Sequence, residues 1–321
     1  MSSKKSKFSI FLLSVVITVI ALIGSSESFS HYRVHDELHF YNVKEGGSFN
    51  AMLEDFSLQP AHKFLLKVYM RVNDINIAQA GYYSIKNQSW KDFLFSVNKG
   101  DVVIFKLKIP SGKNFFEIKK ILSESNLHND CDNFKCLDDR YNFVEGTLKP
   151  DTYFYKDSDS LTKLLQQSQE EFYQLANSFW LDKSPNLPIK NLSDAVILAS
   201  IVEKEAGNDN EKSVIAGVFL HRLSIGMKLQ ADPTIIYGLM PNFNGNITTA
   251  NLKDKSNPYN TYQIQGLPPT PISTISQSSL EAVILGMKNE YLYFVAKGDG
   301  THKFSKTYKE HLKAVRKYQL N

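Results

Sequence analysis

Three kinds of hydrophobic patterning follow one another along the chain. The first is a block: Phe8 to Gly24 is uncharged and mostly apolar, 17 residues without a break. That is the short end of the ~17–25 residues that carry a helix across a bilayer. The second, up to about residue 125, alternates short β-rich runs with stretches of helical period. The third, from about residue 140, holds longer helical patterns interrupted by one stretch rich in Gly, Pro, Asn and Tyr. Together they predict an α+β fold: a short tail (1–7), a transmembrane anchor (8–24), a small strand–helix subdomain (36–125) and a carboxy-terminal mixed α/β domain (140–321).

Inside the small subdomain, a pair of segments shares one outline. "FYNVKEGGSFNAML" (40–53) and "KLKIPSGKNFFEIK" (106–119) each end a β-rich run at Val43 or Ile109. A turn with Gly46 or Gly112 follows, then Ser48 or Asn114, placed to cap a helix that begins at Phe49 or Phe115. Two copies are too few for a solenoid, so both are assigned to the one subdomain. Between them, "AHKFLLKVYMRV" (61–72) predicts a helix and "AGYYSI" (80–85) a strand. "SWKDFLFSVNKG" (89–100) predicts a helix closed by Gly100.

In the carboxy-terminal domain, "VEGTLKPDTYFY" (144–155) is turn-rich and leads into an amphipathic helix near 158–179. "DKSPNLPIKNLS" (182–193) breaks the pattern and offers Ser193 as the cap of a helix over 194–206, with Gly207 placed to end it. A helix over about 210–224 follows. The long Gly/Pro/Asn/Tyr-rich stretch after it is of the kind that lines a site. A helix (277–288), a strand (291–297), a Gly-Asp-Gly turn and a basic helix (306–319) close the chain.

Charge changes this picture at one place. Lys4, Lys5 and Lys7 precede the apolar block, which keeps the amino terminus cytoplasmic and the remainder outside. A cleaved signal peptide is the rival reading, since Ser25–Ser30 is small and polar. The block exceeds the ~7–15 apolar residues of a signal sequence, which favours an uncleaved anchor. On either reading the bulk of the chain leaves the cytoplasm. Cys131 and Cys136, in "CDNFKC", are then open to two states, a short-loop disulfide or two thiols. The net charge of +4 is small and no basic block interleaves with aromatics, so nucleic acid is not an expected partner. No zinc-type Cys/His spacing, P-loop or dinucleotide fingerprint is present, so neither metal nor organic cofactor is expected.

Candidate chemistry centres on "LASIVEKEAG" (198–207). Residues two apart on a helix point to nearly opposite sides, so Glu203 and Glu205 cannot serve one cleft. Leu198, Ile201 and Val202 lie seven, four and three residues before Glu205, on its own face. Glu205 is thus the carboxyl held against apolar surface, where burial raises a pKa toward what a general acid needs near neutrality. A solvated helix-end carboxylate is the ordinary alternative. His221 reads as a structural histidine, Asp232 before Pro233 as the start of a turn or helix, and Tyr237, Tyr259 and Tyr262 as packing residues.

Several co-linear motifs carry a resemblance. "ILASIVEKEA", "VIAGVFLHRLSIGMKLQADPTIIYG", "NPYNTYQIQGLPPTPI" and "YLYFVAKGDGTHKFSKTYKEH", with "VEGTLKPDTY" upstream, closely resemble the MltG-type (YceG-like) endolytic murein transglycosylases. The anchor and small β/α region resemble that family's too, the latter its LysM-like subdomain. The resemblance implies a single-pass protein of the inner (cytoplasmic) membrane with a periplasmic catalytic domain. It implies cleavage of the MurNAc-β-1,4-GlcNAc bond in nascent peptidoglycan glycan strands, leaving 1,6-anhydroMurNAc ends. Membrane-bound cell-wall synthases (penicillin-binding proteins) would be its partners. The family's catalytic Glu matches Glu205, with Glu203 in reserve. Gln230, Asp232, Asn260 and Tyr262 match positions expected to bind the sugar.

The chain departs from the family pattern in places. Thr270 stands where Gly is usual, no Asn-Pro-Gly follows in "GLPPTPISTIS", "IPSG" (109–112) replaces Pro-Glu-Gly, and Leu312 replaces a common Asn. A non-Gly residue at 270 puts the shape of that loop in question. Two other readings stand beside the transglycosylase: a catalytically silent, membrane-anchored wall-binding scaffold, and a muramidase that hydrolyses the same bond.

Overall fold

The structure, a computed structural model, describes residues 2–35 and 38–319, without the side chains of residues 2–5. The expectations that rest on Lys4 and Lys5 therefore lie outside the described side chains. The chain forms two compact units. One holds the residues up to Phe105 together with Phe154–Asp159; the other holds Lys106–Tyr153 and the residues from Ser160 on.

The first unit begins with α1 (Ser2–Ser30), whose Ser6–Ser30 portion is long and apolar enough to cross a membrane. Phe8, Phe11, Leu13 and Ile20 are all exposed on it. That apolar stretch is covered by no described residue, although the helix end at Ser26–Ser30 packs on the rest of the first unit, and such a stretch is compatible with a single-pass anchor. Then come β1 (Phe40–Val43), α2 (Phe49–Asp55), α3 (Pro60–Val72), β2 (Gly81–Ser84) and α4 (Trp90–Lys99). β1 and β2 pair antiparallel, Phe40 opposite Ser84 and Val43 opposite Gly81. Leu53, Leu66, Tyr83, Trp90, Phe93 and Leu94 form the core of this unit. Ser48 caps α2 and Gly100, left-handed at φ 72°, closes α4, as their positions predict.

β3 (Ile104–Ile109) leads out of the first unit and β4 (Asp151–Lys156), its partner strand, leads back. β4 is not expected from the sequence: its segment reads as turns because Pro150 and Gly146 dominate the local pattern. After β3, Asn114 caps α5 (Phe115–Ser123) in a capping box with Glu117. The second strand–turn–helix copy thus has its predicted local shape, and its helix lies in the second unit. Cys131 and Cys136 form a disulfide in the loop that follows.

The rest of the second unit comprises α6 (Leu161–Leu181), α7 (Leu192–Glu205), α8 (Lys212–Ser224), α9 (Asp232–Gly238), α10 (Thr249–Lys253) and α11 (Gln277–Leu285). β5 (Tyr293–Ala296), β6 (His302–Ser305) and α12 (Tyr308–Tyr318) complete it. β5 and β6 pair antiparallel, Tyr293 opposite Ser305 and Ala296 opposite His302. α7 is the axis of the core, packed against α6, α8, α9 and α11. Every residue from Ala195 to Val202 is buried. Leu198, Ile201 and Val202 are each sealed completely, which stabilises the helix by roughly 1.5–3 kcal/mol apiece.

The ends of α7 differ from expectation at both caps. Asn191, not Ser193, is the cap: its Oδ1 accepts from Asp194 N at 2.8 Å and from Ser193 Oγ at 2.6 Å. Ser193 falls inside the first turn, where its hydroxyl serves the capping amide. At the other end Ala206 is extended, and Gly207 is needed for space. A Cβ there would lie 2.5 Å from the Gly300 carbonyl oxygen.

Candidate active site

The end of α7 presents two carboxyls to two different places. Glu203 turns into a nest of donors. Its Oε2 accepts from Ser276 Oγ and Ser279 Oγ, each at 2.5 Å, from Ser276 N at 3.2 Å and from Lys212 Nζ at 3.2 Å. Its side chain is 8% exposed and that of Lys212 7%, so this is a buried ion pair. Lys212 Nζ also donates to Ser276, Ser278 and Asp209. Burial alone would raise Glu203; the hydroxyl donors and the lysine charge outweigh it and hold the carboxyl below its ordinary range.

Glu205 faces a cleft of about 490 Å³. It is half-buried, and no hydrogen bond from a described residue contributes to its titration. Burial, and then the negative charge of Asp232, push it up to about 7, against the opposing pull of Arg222. It is a carboxyl that spends the neutral range near half-protonated, at the wall of an open cavity.

Arg222, Gln230, Asp232, Tyr262, Tyr293, His302, Tyr308 and His311 line the same cleft, from α8, the turn into α9, the Tyr262 loop, the β5–β6 hairpin and α12. Of the residues expected to bind sugar, three are here. Asp232 opens α9, ahead of Pro233, and accepts from Tyr262 Oη at 2.7 Å. Burial and that bond raise the Tyr262 phenol, so it stays a donor. Gln230 is exposed and left-handed at φ 52°, a conformation that costs a non-Gly residue ~1–2 kcal/mol. Strain of this sort collects at functional positions.

Asn260 is placed elsewhere. It is fully buried; its Nδ2 lies within 2.7–3.3 Å of the carbonyls of Asn251, Leu252 and Asp254, and its Oδ1 accepts from Tyr262 N. With both ends of the amide engaged, it pins the loop that carries Tyr262. Motif position sets it beside the sugar-binding candidates, because its burial is not visible in a turn-rich sequence.

Arg222, His302 and His311 are among the cleft residues that the sequence pattern does not single out. Arg222 lies four residues after Val218 and seven after Ile215 on a buried helix, and a charge on an apolar face is the available signal. Its Nε and Nη1 donate to the carbonyls of Leu292 and Leu229, and its guanidinium sits 5.5 Å from the Tyr293 ring centre. His302 pairs with Glu211 at 2.8 Å, and His311 stacks on Tyr293. Both lie in the motif "YLYFVAKGDGTHKFSKTYKEH", whose local pattern reads as a strand, a turn and a basic helix and singles out neither histidine.

A third carboxyl is buried beside α9. Glu145 is 5% exposed and accepts from Phe115 N and Tyr237 Oη, each at 3.0 Å, and from Gly146 N at 3.2 Å. Burial pushes it up to about 7 despite those bonds. Tyr237 is on α9, so Glu145 braces the helix that presents Asp232. Gly146 fits this crowded point at φ 75°; a Cβ there would meet Pro271 Cβ at 2.6 Å.

The 270–276 segment accommodates its unusual residues. Thr270 is not among the described residues of positive φ, and its Oγ1 pairs with Tyr259 Oη at 2.8 Å. Thr274 bonds the 110–113 turn, and Ser276 caps α11 while serving Glu203. None of these residues lines the cleft. A cavity of about 510 Å³ between the 184–188 loop, α8 and the 286–290 loop carries less chemistry. There His221 is tied to the Tyr291 carbonyl, Asn289 to Val214 and Tyr291, and Glu290 to Lys306.

A model of the YceG-like family matches residues 41–317. The chain is 36% identical over 176 residues to the endolytic murein transglycosylase of Bacillus subtilis, covering 54% of this chain and 48% of that one. It is 27% identical over 276 residues to the endolytic murein transglycosylase of a Streptococcus pneumoniae strain, covering 73% and 49%. The chain thus spans about half the length of these curated relatives. Its fold is similar to the 2.6 Å crystal structure of a putative YceG-like protein from Listeria monocytogenes. There the TM-score is 0.55 at 27% identity, over 85% of this chain and 97% of that one.

Proposed function

Because the chain belongs to the YceG-like family, we propose that it is an endolytic murein transglycosylase with Glu205 as its general acid and then base. The observation that carries this reading is the Glu205 carboxyl: pushed up to about 7 and unbonded by the described residues, it faces a cleft lined by sugar-compatible polar and aromatic groups. The names of the curated relatives support the same activity.

The chemistry needs one acid. Protonated Glu205 gives its hydrogen to the glycosidic oxygen as the C1–O bond breaks, releasing the GlcNAc 4-hydroxyl. The muramic C6 hydroxyl attacks C1 within the same sugar, and Glu205, now a carboxylate, takes that hydroxyl's proton. The acid is restored and no water is consumed. Ring closure within one residue replaces the second carboxylate of ordinary glycosidases through its effective concentration. In this mechanism the Asp232 charge favours the developing oxocarbenium ion, and the Tyr262 hydroxyl, which donates to Asp232 at 2.7 Å, orients that carboxylate. Gln230, exposed at the rim, is suited to an acetamido or hydroxyl group. Asn260 serves by holding the Tyr262 loop.

By this reading α1 anchors the chain in the cytoplasmic membrane with its amino terminus inside, and the cleft works on the outer, periplasmic side. Nascent glycan strands emerge there, which places membrane-bound synthases within reach as partners. The test is mass spectrometry of glycan strands treated with the full chain in detergent micelles. Anhydro-ended fragments from within strands support the reading; intact strands contradict it. A second reading, hydrolysis of the same bond, draws on Asp232 as a second carboxylate in the cleft, and reducing ends would favour it.

A further inference from the structure

We propose that His302 is a substrate-binding residue of the Glu205 cleft, its Nε2 hydrogen-bonding a hydroxyl or acetamido group of the glycan, with Glu211 as the positioning residue that holds the ring. The proposal rests on the glycan-cleaving reading above and extends it to the β5–β6 hairpin, remote from Glu205 in the chain.

One carboxylate grips His302 at two points. Glu211 Oε1 accepts from the His302 backbone N at 2.9 Å, and Glu211 Oε2 lies 2.8 Å from His302 Nδ1. Phe294 and Phe304 add packing to the imidazole, their ring centres 5.4 and 6.3 Å from its own. A ring held from so many sides has little freedom left to lose when a ligand binds.

Nε2 is the ring nitrogen left for a ligand. It makes no hydrogen bond with a described residue. Nor is it sealed off. The buried, unpaired side-chain atoms among the described residues are Tyr69 Oη, Gln88 Oε1, Ser305 Oγ and His311 Nδ1. His302 Nε2 therefore keeps accessible surface, part of the 11% that remains exposed on this side chain. The cavity that His302 borders is the cleft of about 490 Å³ that Glu205 faces.

The grip on Nδ1 selects the class of ligand. A carboxylate only accepts, so Glu211 keeps a hydrogen on Nδ1 whether the ring is neutral or charged. Nε2 is then an acceptor in the neutral ring and a donor in the imidazolium. A hydroxyl or an acetamido group carries both a donor and an acceptor and can meet either form. A carboxylate or an ammonium can meet only one. The site is matched to the uncharged groups of an amino-sugar polymer. The contrary reading is a clasp: Glu211 caps α8, and the pair would tie the hairpin to that helix without meeting substrate.

The experiment separates the two and measures binding apart from cleavage. Full chain carrying Glu205→Gln is titrated in detergent micelles with peptide-free glycan strands by calorimetry, alone and with His302→Asn. The Asn amide nitrogen falls near the Nδ1 position, so the donor to Glu211 is kept and Nε2 is lost. Binding is expected to weaken about tenfold, with the denaturant midpoint close to that of the parent. Binding equal to the parent overturns the proposal and leaves the clasp. If the Asn variant does not fold, or unfolds earlier, nitrogen-15 NMR of the histidine-labelled parent decides, with the His302 signals assigned by their change in Glu211→Gln. Added glycan is expected to move the Nε2 signal more than the Nδ1 signal; an unmoved Nε2 signal overturns the proposal. Failure of the functional reading looks different. In that case the unsubstituted chain cuts no glycan and the Glu205→Gln parent binds none.

Discussion

Glu203 and Glu205 leave the same helix end two residues apart, and their surroundings are opposites. Around Glu203 the core supplies two serine hydroxyls, a backbone amide and a buried lysine, and the carboxyl is held ionised. Around Glu205 it supplies apolar surface, a nearby carboxylate and an open cleft, and the carboxyl is pushed up to about 7. Depth of burial does not separate them, since burial by itself raises both. What separates them is whether the neighbouring segments bring donors. α11 and α8 bring them to Glu203; no hydrogen bond from a described residue contributes at Glu205. One carboxyl joins helices, and the other is free to exchange a proton with something that enters from outside.

Breaking the active side of this pair has the largest expected effect. On the proposed mechanism, Glu205→Gln removes the acid and base together and should lower the rate of anhydro-end formation by about 10²–10⁴-fold, the usual share of such a group. Quantified fragments at equal protein loading give the factor. Breaking the structural side should act on stability. Lys212→Met strands the buried Glu203 charge, and loss of one member of such a pair costs about 3–5 kcal/mol. Denaturant unfolding should record that loss, while folded molecules keep their turnover.

Two milder substitutions sharpen the contrast. The proposed mechanism begins with protonated Glu205, so kcat/KM should fall as pH rises through about 7. Asp232 is one of the groups that raise it. Asp232→Asn removes that repulsion and should move the alkaline limb to lower pH, leaving the larger effect of burial in place. A limb that stays put or moves up would contradict the assignment. Stability carries the same signature. A carboxyl raised on folding contributes stability that is present below its ordinary value of 4.5 and lost as pH climbs through about 7. The Glu205→Gln variant should therefore gain on the parent between pH 5 and 8, by at most about 3 kcal/mol. Tyr262→Phe should have the smallest effect, a few-fold, since it deletes one hydrogen bond to Asp232 worth ~0.5–1.5 kcal/mol.

Local pattern carried much of this molecule, and its limits have physical causes. The caps at Ser48 and Asn114, the closure of α4 at Gly100 and the start of α9 at Asp232 are written within a few residues and could be read there. The opposite facing of Glu203 and Glu205 follows from helix geometry alone. The apolar face that singles out Glu205 is only a fraction of its setting, because α7 is buried on every side. The nest around Glu203 depends on Ser276 and Ser279, more than seventy residues away, and no local period reports such a partner. β6, four residues long, pairs with β5 through a register that no single short run reveals. Glu145 hides in a turn-rich segment, and its burial comes from α5, α9 and the Pro271 loop together. Asn260 shows the reverse error: a polar residue in a turn, expected as a ligand contact, is spent on three carbonyls of its own chain.

The separation of the two carboxyls can be measured without any substrate. A carbon-13 NMR titration of glutamate δ-carboxyls in the full chain, with Glu203→Gln and Glu205→Gln to assign the signals, reads each midpoint. The account predicts a midpoint near 7 for Glu205 and one below 4.5 for Glu203. Two midpoints together near 4.5, or the reverse order, would contradict it.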